Sequence, residues 1–155
     1  MGTSIMYARE LKHKEFDAFY GLLLKYMTEK GFVDQEFNRE MLNVEAKRIV
    51  SAMDHEVIAL FHQDEMCGFA IMMFGQNTFN TGRFVQMDLV HIAPHLRDID
   101  SISILFDKVY EIAQTNDYNE VFVSRKNCSF TESEAQEFFH SDSYFETDQI
   151  WKATI

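Results

Sequence analysis

Apolar and polar positions along the chain change period several times, and each change marks an element. Ile5 to Arg9 reads as a short first strand. From Glu15 to Lys30, Phe16, Phe19, Tyr20, Leu23 and Met27 recur at helical spacing, which predicts a one-striped helix stopped at Gly31. Asn38 can cap a second helix whose stripe is Leu42, Ala46, Ile49, Val50 and Met53. The period then shortens. Val57 to Phe61 and Met66 to Phe74 are apolar runs separated by the turn-like His62 to Glu65, a pattern that predicts an antiparallel hairpin. A polar stretch, Gly75 to Arg83, leads to a third run from Phe84 to Ile92.

Helical spacing returns at Ile102, Leu105, Phe106, Val109 and Ala113, followed by a short strand from Val121 to Ser124. Strand, helix and strand in that order predict a right-handed parallel crossover. Thr131 and Glu134 have the spacing of a capping box for a short helix ending near Phe139, and a last strand is expected from Gln149 to Ile155. The expected order is β-α-α-β-β-β-α-β-α-β, an α/β fold with a mixed, mostly antiparallel sheet. One domain over residues 1–155 fits the length and the absence of linkers or repeats.

The hydrophobic share of 46%, with fifteen Phe, is that of a chain with a packed core. No apolar run approaches the ~20 residues that span a bilayer, and residues 1–10 lack a leader pattern. Cys67 and Cys128 have no partners at metal-ligand spacing, so reduced thiols and a cytoplasmic location are expected. A formal charge of −11 opposes direct nucleic-acid binding and attachment to anionic membranes. The acids are scattered among Lys and Arg apart from Glu132 to Asp148, so an acidic mimic of nucleic acid is a minor reading.

Two stretches carry a family resemblance. VHIAPHLRDIDSISIL (Val90 to Leu105) resembles the strand-to-helix signature V-x-P-x-x-R-x-x-G-x-G/A-x-x-L of the GNAT superfamily of N-acetyltransferases, with Ile92, Pro94, Arg97 and Leu105 on matching positions. AQEFFHSDSYF (Ala135 to Phe145) resembles the family's A-x-x-F-Y-x-x-x-G-F segment through Ala135, Phe138 and Tyr144. The resemblance implies a GNAT-like fold and, for an active member, transfer of an acetyl group from acetyl-CoA to an amine. A retained donor site would be held by Leu89, Val90, Arg97, Asp100, Ser101 and Ile102, and Asp88 or His91 would act as base.

The departures from that pattern fall on chemistry. The two glycines that let backbone N–H groups approach the cofactor pyrophosphate are replaced by Asp100 and Ile102. A carboxylate ~5 Å from a phosphate charge, at an effective dielectric near ~20, costs roughly 3 kcal/mol. Asp100 also suits a helix N-terminus as its cap, while Ile102 places a branched side chain where phosphate would lie. The tyrosine that would protonate the leaving thiolate is matched by Phe139, the glycine before the last aromatic by Ser143, and the usual Asn by Glu132.

Other residues carry weaker signals. Asp88 and His91 are separated by an odd spacing, which sends them to opposite faces of a regular strand unless a bulge intervenes. His91 and His95 flank Pro94, which excludes a helical metal face. Ser124 has no neighbouring base. Phe79 stands alone in a polar stretch, the position of a partner contact. The expected protein therefore keeps a GNAT-like fold, has no cofactor, and acts through protein contacts or self-association, as an assembly or phage/virion-associated component for example. An acyltransferase with a divergent donor grip is the alternative, with acetyl-CoA as its cofactor.

Overall fold

The computed structural model describes residues 5–30, 39–76, 82–124, 128–130, 132–141, 145–147 and 150–154. The elements run β1 (Met6–Glu10), α1 (Phe16–Glu29), α2 (Arg39–Ser51), β2 (His55–His62), β3 (Glu65–Gln76), β4 (Arg83–Ile92), α3 (Ile99–Thr115), β5 (Glu120–Ser124), α4 (Glu132–Ser141), β6 (Phe145–Thr147) and β7 (Ile150–Thr154). The strands form one sheet in the order β1-β2-β3-β4-β5-β7-β6. Every pairing is antiparallel except β4 with β5, whose crossover is α3.

The hairpin of β2 and β3 forms at the expected place. Its two turn residues, Gln63 and Asp64, both take positive φ, and Asp64 accepts a hydrogen bond from the Tyr7 hydroxyl at 2.9 Å. The central strands are apolar on both faces because helices cover both. On one side Ile58, Leu60, Met72, Met87 and Val90 pack under α3 and α4 through Ile102, Leu105, Phe106, Phe138 and Phe139. On the other, Val57, Phe69 and Ile71 pack under Phe19, Leu23 and Tyr26 of α1 and Ala46 of α2.

Two expectations are corrected. Met53 does not extend the α2 stripe: the helix ends at Ser51, and Met53 is fully exposed. The last part of the chain holds two strands, since β6 precedes β7. A three-residue strand is too short for periodicity to reveal it. Gly31, Asn38, Phe79, Thr131, Ser143 and Tyr144 lie outside the described residues, as do the readings that rest on them.

Among the described residues no helix is long and apolar enough to cross a membrane.

Candidate functional site

In open α/β sheets, ligands favour the crevice beyond the carboxyl ends of parallel strands. Here that place is the end of β4 and β5, next to the start of α3. Three local structures determine what it offers.

The first is a bulge in β4. Leu89 pairs with Ile71 and Met87 with Met72, so Asp88 is an extra residue with no partner on β3. The bulge resets the alternation. Met87 and Val90 face the core under α3, whereas Leu89 packs in the core under α1. Asp88 turns to the α1–α2 side, where its carboxylate lies 3.5 Å from His55 Nε2, and His55 Nδ1 is 2.8 Å from Asp54 Oδ1. Burial raises the Asp88 carboxyl above its usual pKa, partly offset by His55. His91 faces the same side, its ring against Tyr26 and Phe69.

The bulge thus brings Asp88 and His91 to one side of the sheet, against the expectation for a regular strand. They sit in different surroundings, however. Asp88 belongs with His55, while His91 lines a hollow with Glu29 and Pro94. Burial, with help from the Arg97 charge, holds the His91 ring neutral by lowering its pKa to about 4.

The second is the gap between β4 and β5. Their pairing runs from Phe84–Glu120 to Met87–Val123 and then stops. Past Met87 the free edge of β4 is taken by the chain itself. Cys128 forms a parallel bridge with Val90, Ser129 N–H donates to the Val90 carbonyl at 2.9 Å, and the Ser129 hydroxyl oxygen accepts the Ile92 N–H at 3.1 Å. Cys128, Ser129 and Phe130 are all buried, and burial pushes the Cys128 thiol up to about 12, where it stays protonated.

The third is the start of α3. Asp98, in extended conformation, is the cap: its Oδ1 accepts the Ser101 N–H at 2.7 Å, and its carbonyl accepts the Ile102 N–H at 3.0 Å. Asp100 is therefore not the cap. It stands exposed in the first turn, where its charge still suits the helix dipole. Ile102 does not project into an anion site; it is 1% exposed and part of the core. Arg97 turns away from the helix start, donating from Nε to the Ile92 carbonyl at 2.7 Å and pairing with Glu29 Oε2 at 2.5 Å. A hollow of about 480 Å³ remains here, lined by Arg97 and the carboxylate residues Asp98, Asp100, Glu134 and Glu137.

Of the residues singled out in the sequence, Arg97, Asp100 and Ile102 line this hollow, Ser101 is buried next to them in α3, and Leu89 and Val90 belong to the two cores, Val90 in the same one as Ile102. Phe139 is fully buried against Phe106 and Phe138. The cap was expected at Asp100 and lies two residues earlier, at Asp98. His55 beside Asp88, and Ser129 on β4, were not legible, because contacts between distant segments leave no local pattern.

No protein-family model matches the sequence, and no curated protein matches it significantly. Solved structures do match in fold. A probable acetyltransferase superposes with TM-score 0.75 at 15% identity, covering 91% of each chain. An aminoglycoside N-acetyltransferase in complex with CoA gives 0.72 at 13% identity, over 95% of this chain and 92% of that one. A ribosomal-protein-alanine N-acetyltransferase from Brucella melitensis biovar Abortus 2308 gives 0.69 at 13% identity, over 93% and 94%. The fold is that of the GNAT acetyltransferases, as the two sequence stretches implied.

Proposed function

We propose that this GNAT-fold chain does not transfer acetyl groups and acts through contacts with other proteins. The observation that carries the reading is the seat of Ser129 on the edge of β4. Solved neighbours with this fold include one in complex with CoA and one with acetyl-CoA. A donor of that kind would need polar groups at the crevice, and the chain has satisfied them internally. The Val90 carbonyl and Ile92 N–H are bonded to Ser129, and the Ser101 N–H to Asp98.

Charge supports the same reading. A pyrophosphate at the start of α3 would face Asp98, Asp100, Glu134 and Glu137, while the nearby cation Arg97 is paired with Glu29. Phe139, buried and without a proton to give, offers no acid for a leaving thiolate. The residues present do not fit coenzyme A. Phe79 is the proposed partner contact. Phe79→Ser is expected to weaken self-association or partner capture, and a loss of more than ~2 kcal/mol of folding stability would instead make the residue core.

One observation favours a second reading, an N-acyltransferase with a divergent donor grip. The β4 bulge presents Asp88, its carboxyl raised by burial, beside the His55–Asp54 pair, an arrangement able to take and pass a proton. A titration with acetyl-CoA separates the two. A ligand at ~100 times its Kd adds ~2.7 kcal/mol, a Tm rise of a few degrees. No rise at millimolar acetyl-CoA is expected; a saturating rise overturns the first reading.

A further inference from the structure

A second hollow, of about 530 Å³, lies on the α1 side of the sheet where β4 ends, separate from the crevice that Ser129 fills. Its apolar walls come from Leu22 and Leu24 of α1 and from Ala93 and Pro94 after β4. Lys25, Thr28 and His95 line it too, the Thr28 hydroxyl already donating to the Leu24 carbonyl, and two further polar groups lie close together. His91 is 1% exposed, and its Nδ1 has no hydrogen-bond partner among the described residues. Glu29 Oε2 lies 3.7 Å from Nδ1, too far for a direct bond.

Buried polar atoms are paired in the great majority of cases, so an orphan at the wall of a cavity marks where a partner belongs. The partner's chemistry follows from the two atoms. A carboxylate only accepts, and Nδ1 accepts when the ring proton sits on Nε2. Two acceptors 3.7 Å apart are closer than twice a hydrogen-bond length, so one nitrogen can reach both. A hydroxyl has one proton and serves only one of them.

The charge on that nitrogen follows too. The Glu29 carboxylate is already compensated by Arg97, and Lys25 adds positive charge at the rim. A cation therefore gains little here, and an anion would meet the Glu29 carboxylate. We infer that this hollow binds a small aliphatic molecule through a neutral –NH2 group, a primary carboxamide, whose two N–H hydrogens are shared between His91 Nδ1 and Glu29 Oε2. The site lies outside the β4–β5 crevice and does not depend on whether that crevice takes a donor.

The test follows the His91 ring C–H signal by NMR during titration with isobutyramide, and with N,N-dimethylisobutyramide, which has the same body and no N–H. Isobutyramide is expected to give a saturable shift, and the dimethyl compound to bind about tenfold more weakly, a difference of ~1.4 kcal/mol. In His91→Phe, isobutyramide binding, followed by saturation transfer to the amide's own methyl signals, should be lost while melting stays cooperative. Should that variant not fold, the paired titration of the unaltered protein still decides. Equal affinity for the two amides, or no saturable shift up to the solubility limit, overturns the inference.

Discussion

Ser129 completes β4 from a distance of 37 residues: its hydroxyl oxygen accepts the Ile92 N–H at 3.1 Å. The bond joins a buried residue to a strand edge that β5 has left.

Ser129→Ala is expected to leave the Ile92 N–H buried without a partner, at a cost of about 1–3 kcal/mol. Urea denaturation measures the loss, and hydrogen exchange should show the Ile92 amide exchanging faster than the Ala70 and Ile71 amides of β3. An unchanged midpoint and unchanged exchange would mean that the segment does not close this edge.

The start of α3 separates a cap from a core residue. Asp98→Ala should cost ~1 kcal/mol, and Asp100→Gly about as much, because glycine weakens a first turn. Ile102→Gly should cost more than either, on the order of 4 kcal/mol, since it empties a buried site. The double change Asp100→Gly, Ile102→Gly should still fail to bind coenzyme A in calorimetry while Ser129 holds β4. Tight binding by that variant would show that the loop alone blocks the donor.

His91 gives stability a pH dependence. Its pKa is about 4 in the folded chain against 6.5 unfolded, so the unfolded state binds the extra proton between those values. Stability is full above pH 6.5 and falls as pH drops toward 4, by up to about 3 kcal/mol. The charged groups around the ring are Glu29, Arg97 and Lys25. The hydrogen bond from Arg97 lowers the Glu29 carboxyl from its usual 4.5, so its own contribution begins to be lost only at the acid end of that window. Denaturation midpoints across the window should slope in the parent and flatten in His91→Phe; parallel slopes would show that the ring is not held neutral.

Two glycines should respond with opposite signs to the same change. A Cβ at Gly68 would stand 2.7 Å from the His91 carbonyl oxygen and 3.2 Å from Ile92 Cα, so Gly68→Ala must push β3 from β4 at about 1–3 kcal/mol. Gly21, inside α1, has nothing within 4 Å of its Cβ position, and Gly21→Ala should add ~1 kcal/mol. Thermal melts of both variants check the pair.

The sequence alone determined the order of the larger elements, because burial of one face imposes a period on each helix and strand. It also carried the fold, through Pro94, Arg97 and Leu105 after one strand and Phe138 in the last helix. It put Asp100 and Ile102 where the resemblance places glycines, although not the parts those two residues play. Asp100 and Ile102 could be named, but that Asp98 holds the cap and Ile102 the core was decided by packing.

Tertiary structure alone decided the rest. A single unpaired residue, Asp88, reversed the facing of the residues before it relative to His91, since side chains alternate strictly only in an unbroken ladder. The closure of β4 by Ser129, and the pairing of Asp88 with His55, join segments more than thirty residues apart. Hydrogen bonds of that kind depend on where the backbone returns, and hydrophobic periodicity, which reports only each segment's own buried face, holds no record of it.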